Sequence, residues 1–156
     1  MNFQQNYITI AKNKCLNERH NGAACYHCVQ HCPGKALMLF EHQVYLDANS
    51  CLGCGLCLGD CPTGVFLSSQ WNEAAIRADA EETAEDTVQI FCGNHETFAF
   101  TAEDKEKGIL TLPGCLSMIS KGGWYELGLL KKVELRMDKC ENCLMKGCLY
   151  RLEFAV

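Results

Sequence analysis

The stretch Cys51-Leu52-Gly53-Cys54-Gly55-Leu56-Cys57-Leu58-Gly59-Asp60-Cys61-Pro62 decides how this chain is read. Three thiols follow one another at intervals of two intervening residues. A fourth comes after three more and is itself followed by proline. Three thiolates on so tight a loop can cap three irons of one cubane. The chain then turns, because Pro62 fixes φ and supplies no N–H, and the fourth thiol points the other way. Gly53, Gly55 and Gly59 relieve steric limits around such a group and leave backbone N–H groups free to approach its sulfurs. Cys-x2-Cys pairs also serve structural zinc, but zinc has no use for the third Cys and the Cys-Pro at these offsets.

Working outward, the chain repeats itself. A shift of 29 residues carries Cys25, Cys28, Cys32 and Pro33 onto Cys54, Cys57, Cys61 and Pro62. A period near thirty signals a duplicated supersecondary unit. Each copy runs into an apolar stretch, Ala36 to Leu39 and Val65 to Leu67, which reads as a short strand. Tyr7 to Ile10 and Val44 to Leu46 are two more, and residues 25–31 and 54–60 read as short helices. The first copy departs in one place: Gly22 stands where Cys51 stands in the second. The nearest upstream thiol is Cys15. Leu16 to Ala24 then forms an expanded loop that returns Cys15 to the cluster; the alternative is a three-thiolate site holding a [3Fe-4S] cluster.

Composition fits this chemistry. Thirteen cysteines in 156 residues is an odd number, so a closed disulfide framework would leave one over. Met1-Asn2-Phe3-Gln4-Gln5-Asn6 lacks the basic-then-apolar order of a secretory leader. A reducing, cytoplasmic setting is therefore expected, in which clustered thiolates are metal ligands. A formal charge of −5 argues against nucleic acid, and no apolar run is long enough for direct membrane insertion. The 48% apolar content excludes a disordered chain. No Gly-rich phosphate loop is present and no substrate pocket can be argued. His27 and His31 lie inside the first thiol loop.

On these motifs, residues 1–70 resemble the bacterial-type 2[4Fe-4S] ferredoxins. The resemblance implies two related halves, short antiparallel strands on one side, helices on the other and clusters between. Carried over by position, one [4Fe-4S] cluster takes Cys15, Cys25, Cys28 and Cys61, and the other takes Cys51, Cys54, Cys57 and Cys32.

The rest of the chain is of another kind. Residues 71–86, rich in Ala and Glu without Gly or Pro, read as a helical acidic linker supported by Glu73 and Arg77 at i,i+4. Within it, Asp79, Glu81, Glu82, Glu85 and Asp86 are a solvated face or a docking patch for a basic partner. Over 87–156, Thr87 to Phe91, Gly108 to Leu112 and Lys132 to Arg136 read as strands. An apolar helical face over 116–130 is interrupted at Gly122-Gly123. Cysteines follow each strand: Cys92, Cys115 and the run Cys140-x2-Cys143-x4-Cys148. In an α/β sheet the carboxyl ends of strands gather on one edge, where sites assemble. The fold expected is thus α+β, a ferredoxin-like two-cluster domain followed by a small α/β Cys-rich domain.

This second half resembles the small iron–sulfur (delta) subunit of methyl-viologen-reducing hydrogenases, which docks onto heterodisulfide reductase. The Cys143 to Cys148 step fits that subunit's ending; its doubled cysteine after the first strand is missing here. Leu112-Pro113-Gly114-Cys115-Leu116 and Cys92-Gly93-Asn94-His95 are also similar to the tails of some bacterial ferredoxin-like proteins. The resemblance implies a third iron–sulfur cluster, [2Fe-2S] or [4Fe-4S], and Cys92, Cys115, Cys140 and Cys143 are its expected ligands, with Cys148 in reserve. Zinc in the same four thiolates and a Cys140/Cys143 dithiol are the alternatives, and His95 reads as a donor behind the ligands. The function expected is an electron-transfer relay serving redox protein partners in a larger oxidoreductase complex, without catalysis of its own. A redox sensor and a zinc-stabilised assembly factor are the rival readings.

Overall fold

The computed structural model of the protein describes residues 8–93 and 101–151. Four short strands come first: β1 (Ile8–Ile10), β2 (Leu37–Phe40), β3 (Gln43–Leu46) and β4 (Phe66–Ser68). They form two antiparallel pairs. β1 lies against β4 with Thr9 opposite Leu67, and β2 lies against β3 with Met38 opposite Tyr45. Three one-turn helices stand between them: α1 (Leu16–Arg19), α2 (His27–His31) and α3 (Leu56–Asp60). Strands and helices enclose an apolar cluster of Ile8, Leu37, Val44, Val65 and Phe66, into which Cys15 is also buried. The expected halves are thus visible as elements: each repeat copy contributes one helix, α2 or α3, and one following strand, β2 or β4.

The remaining elements are α4 (Glu73–Glu82), β5 (Thr87–Phe91), α5 (Ala102–Glu106), β6 (Ile109–Thr111), α6 (Lys121–Leu130) and β7 (Lys132–Arg136). The three strands are parallel in the order β6-β5-β7, with Ile90 opposite both Leu110 and Leu135. A parallel sheet needs helical crossovers, and α5 and α6 provide them. Val88, Ile90, Leu110, Leu112, Leu116, Met118, Trp124 and Leu127 form the core on the helix-covered face.

Three expectations are corrected here. The segment 71–86 is more than a linker, since Ile76 and Ala80 of α4 are buried in this core. Glu73 does not pair with Arg77. It accepts bonds from the Ser120 backbone N–H and from Ser120 Oγ (2.9 Å for the latter), while Arg77 pairs with Glu81 at 3.0 Å. The helical run over 116–130 breaks before its glycines. A 3-10 turn covers Leu116–Met118, and α6 begins afresh after Ser120, whose Oγ caps it by accepting from Gly123 N–H. Gly122 and Gly123 lie in the first turn of α6, where Gly123 makes room for Ile119 and the Glu73 carboxylate.

The contact that positions the sites lies between α3 and the residues after β6. Cys115 N–H donates to Cys54 C=O at 2.9 Å. A Cβ on Gly55 would stand 2.9 Å from Met118 Cβ, one on Gly59 2.6 Å from Met118 C=O, and one on Gly114 2.7 Å from Cys54 C=O. Leu58 of α3 packs against both apolar clusters. The glycines of the thiol loop thus serve backbone approach by the second half of the chain as well as access to sulfur. Replacing Gly59 by Ala therefore destabilises the protein by about 1–3 kcal/mol through overpacking against backbone that cannot rotate away. Denaturant unfolding of the anaerobic protein measures this, and an unchanged midpoint would refute the close packing.

Candidate metal centres

All thirteen cysteines lie among the described residues as free thiols, none more than half-exposed in character. Twelve of them fall into three groups of four. Cys15, Cys25, Cys28 and Cys61 line one enclosed pocket, together with Asn17, Pro62 and Phe66. Cys32, Cys51, Cys54 and Cys57 line a second, with Cys28 on its boundary. Cys92, Cys115, Cys140 and Cys143 line a third, with Leu116 and Met145. The structure therefore brings together each of the three quartets expected from the sequence.

Local structure explains each placement. Cys28 lies on α2 and Cys57 on α3, while Cys32 and Cys61 follow those helices with extended backbone. Cys54 precedes Gly55, which starts α3 in the left-handed region at φ 76°. Two N–H···S bonds repeat at the 29-residue interval: Ala36 N–H donates to Cys32 Sγ at 3.3 Å and Val65 N–H to Cys61 Sγ at 3.5 Å. Such bonds stabilise a thiolate and tune what it holds. Cys92 follows β5 directly, Cys115 follows β6, and Cys140 opens a 3-10 turn after β7 that Cys143 closes. Parallel strands deliver all four to one sheet edge.

The thiols press on one another electrostatically. Burial pushes Cys28 up to about 11, with further repulsion from Cys61, Cys25 and Cys15. Burial pushes Cys54 up to about 12, and Cys148, Cys115 and Cys32 add to it. Cys57 is raised above its usual range by burial and then by Cys54, Cys51 and Cys32. Cys140 is pushed up to about 11 by burial and then by Cys92, Cys115 and Cys143. Each quartet is a set of buried soft donors whose simultaneous ionisation needs positive charge at its centre. That donor chemistry fits a thiolate-bound metal group. Among the described residues, the group of three His, Cys, Asp or Glu donors drawn within 4.8 Å of one another is His27, His31 and Asp60, so the thiol sets are more open than that.

Cys148 belongs to none of the pockets. It is buried beside Cys54, Cys115 and Met145. Burial and then Cys115 push it up to about 11, eased by the Ser117 hydroxyl. It stands where the second and third quartets adjoin. His95 lies outside the described residues.

One residue that the sequence reading passed over organises the expanded loop. Asn17 of α1 is 1% exposed. Its Oδ1 accepts from Cys25 N–H at 2.8 Å and its Nδ2 donates to Cys25 C=O at 2.6 Å. The side chain thus closes the seven residues between itself and Cys25 and holds Cys15 and Cys25 at one pocket. A polar residue two positions after the leading thiol was the available signal.

Comparison with known proteins agrees with this geometry. Residues 23–65 match the 4Fe-4S dicluster domain family. An uncharacterised ferredoxin of Methanocaldococcus jannaschii is 34% identical over 65 residues, which cover 38% of this chain and 39% of that protein. The chain thus spans about two fifths of that relative's length. No solved structure matches. No helix among the described residues is long and apolar enough to cross a membrane. The chain contains a ferredoxin-type 4Fe-4S segment.

Replacing Asn17 by Ala leaves Cys25 N–H and C=O without their partner in a part-buried site, a loss of about 1–3 kcal/mol. The expected result is selective loss of iron from the group containing Cys15, read by iron analysis and by EPR of the reduced protein. Equal loss from both ferredoxin-type groups would refute a local role for Asn17.

Proposed function

We propose that the chain is a three-centre electron relay: two [4Fe-4S] clusters on the ferredoxin-type quartets and a third iron–sulfur cluster on Cys92, Cys115, Cys140 and Cys143. Iron–sulfur clusters supply one-electron redox chemistry at potentials set by their surroundings. The chain's own work is to hold the centres, exclude water and bias their potentials. Buried Leu56, Val65 and Phe66 keep the ferredoxin-type pockets apolar. The N–H groups of Ala36, Val65, Gly53 and Met145 donate to Cys32, Cys61, Cys51 and Cys143 and favour the more negative, reduced state.

The observation that carries this reading is the Cys115 N–H to Cys54 C=O bond. It joins a ligand of the second quartet to a ligand of the third through one hydrogen bond, a direct route for tunnelling. Cys28 lines both the first and the second pocket, so those two quartets adjoin as well. Openness of the thiol groups also favours clusters over zinc. Four sulfurs at about 2.3 Å from one zinc cannot stand more than about 4.6 Å apart.

The relay works as a subunit of a larger oxidoreductase. Each oxidised cluster adds about −2 to a chain already at −5, which steers it toward basic partners. Within the acidic stretch, Asp79 is engaged by Lys105 and Glu81 by Arg77, leaving exposed Glu82, Glu85 and Asp86 as the contact offered to a partner.

Anaerobic purification from native extract at low and high salt tests both parts. Expected are about eight irons from two [4Fe-4S] clusters, additional iron with sulfide for the third centre, and a redox partner released by salt. Cys115→Ser removes the third centre and leaves the first two EPR signals in place. Four irons in all, or zinc without sulfide at the third quartet, would overturn the relay; a monomer at low salt would overturn the subunit role.

A further inference from the structure

We propose that His27, His31 and Asp60 form a separate site for one divalent cation of the Mn2+, Fe2+ or Zn2+ class, on the seam between the two ferredoxin-type quartets. His27 and His31 are four apart on α2 and so share one helical face. Asp60 ends α3, with its side chain 4% exposed. Its Oδ2 is 2.8 Å from His31 Nδ1 and its Oδ1 is 3.4 Å from His27 Nε2. One donor atom from each residue lies within 4.8 Å of the other two. His31 and Asp60 are also 29 residues apart, hence the same position of the repeat, meeting where the two copies face each other.

The location calls for positive charge. His27 lines the first ferredoxin-type pocket, and His31 and Asp60 line the second. On the iron–sulfur reading above, the buried Asp60 carboxylate, held by His31 and His27, adjoins the second group of about −2 while His27 adjoins the first, so a cation here offsets negative charge on both sides. Two imidazoles and one carboxylate suit a borderline or hard divalent metal and leave coordination positions open. The half-exposed His27 faces solvent, so the ion has a way in.

Mn2+ is the probe, because soft thiolates compete poorly for it. In the oxidised holoprotein, the free-Mn2+ EPR signal falls until one ion per chain is bound, and Zn2+ displaces it one for one. His27→Gln, at an exposed position, weakens uptake at least tenfold with iron content unchanged. Absence of uptake, or uptake that His27→Gln leaves unchanged, overturns the site. Iron analysis of the same sample shows separately whether the cluster reading has failed.

A different observation carries a second inference. We infer that β7 pairs antiparallel with β7 of a second copy of this chain, in a register centred on Leu135. Among the described residues, β7 is an edge strand. The sequence Lys132-Val133-Glu134-Leu135-Arg136-Met137-Asp138 is charge-complementary to its own reverse. Centred on Leu135, Glu134 meets Arg136 of the other copy and Leu135 meets itself within the strand, while Met137 and Asp138, in the turn that follows β7, come near Val133 and Lys132 at its start. Centring on Glu134 instead puts Glu against Glu and Lys against Arg, so the register is specified.

The alternation also matches the faces of the sheet. Val133, Leu135 and Met137 line an open apolar groove with Trp124, Tyr125 and Leu129 of α6. Tyr125 and Leu129 are each 69% exposed, and a second copy would bring another α6 over them. Within one chain, the opposite face holds Lys132 3.2 Å from Glu134 and Arg136 3.8 Å from Asp138. Pairing across the twofold satisfies the same charges between copies.

Sedimentation of the holoprotein should give twice the 17.4 kDa chain mass. Arg136→Glu raises the dimer dissociation constant at least tenfold, and the double exchange Glu134→Arg with Arg136→Glu restores it to within a few-fold. A monomer at all concentrations, or a double exchange no better than the single one, overturns the pairing.

Discussion

The close approach of α3 to the residues that follow β6 is the constraint on which the rest of this structure depends. It is made mainly of backbone: one N–H···O bond from Cys115 to Cys54, and Gly59 and Gly114, at which a Cβ would collide with main chain, while Gly55 makes room for the Met118 side chain. Side-chain packing can relax when a residue changes, but backbone-to-backbone contact at this range cannot. Two thiol groups held this way keep a fixed separation, which the relay proposed above requires.

How much of this was legible in the sequence follows from the range of each interaction. The two ferredoxin-type thiol sets were readable because thiol spacing along a loop is a local geometric demand, and the third because a cysteine follows each of three successive strands. The 29-residue period told which residues play equal parts, and the N–H···S bonds from Ala36 and Val65 repeat at that same interval. Strand positions in the second half were readable because each apolar run ends at a cysteine or at Pro-Gly-Cys. Glu73 was misread because an i,i+4 pair is the only partner a sequence offers locally, whereas Ser120, 47 residues away, presents a helix N-terminus to the same carboxylate. Asn17 was passed over for the same reason: its hydrogen bonds copy those of a strand partner, and nothing in the local pattern announces that. The glycines of the thiol loop were credited to metal access when part of their purpose is the neighbouring turn.

The thiols bear on assembly as well as on the finished protein. Without metal, burial and then neighbouring thiols raise Cys28, Cys54 and Cys140 above the ordinary thiol range. Binding must therefore release protons, and it converts a set of repelling groups into a cross-link between α2, α3 and the loops around them. The same residues that cost stability when ionised alone become the strongest ties in the fold once occupied.

His31 and Asp60 occupy one position of the repeat and touch each other across the seam between its copies. Had two identical halves met there as separate chains, each would have set the same side chain against itself, imidazole to imidazole or carboxylate to carboxylate. Opposite partners at a single repeat position require that the halves be encoded separately and joined. The contact is thus a record of duplication followed by divergence: fusion onto one chain gave the two copies licence to differ at the place where symmetry had forced them to agree.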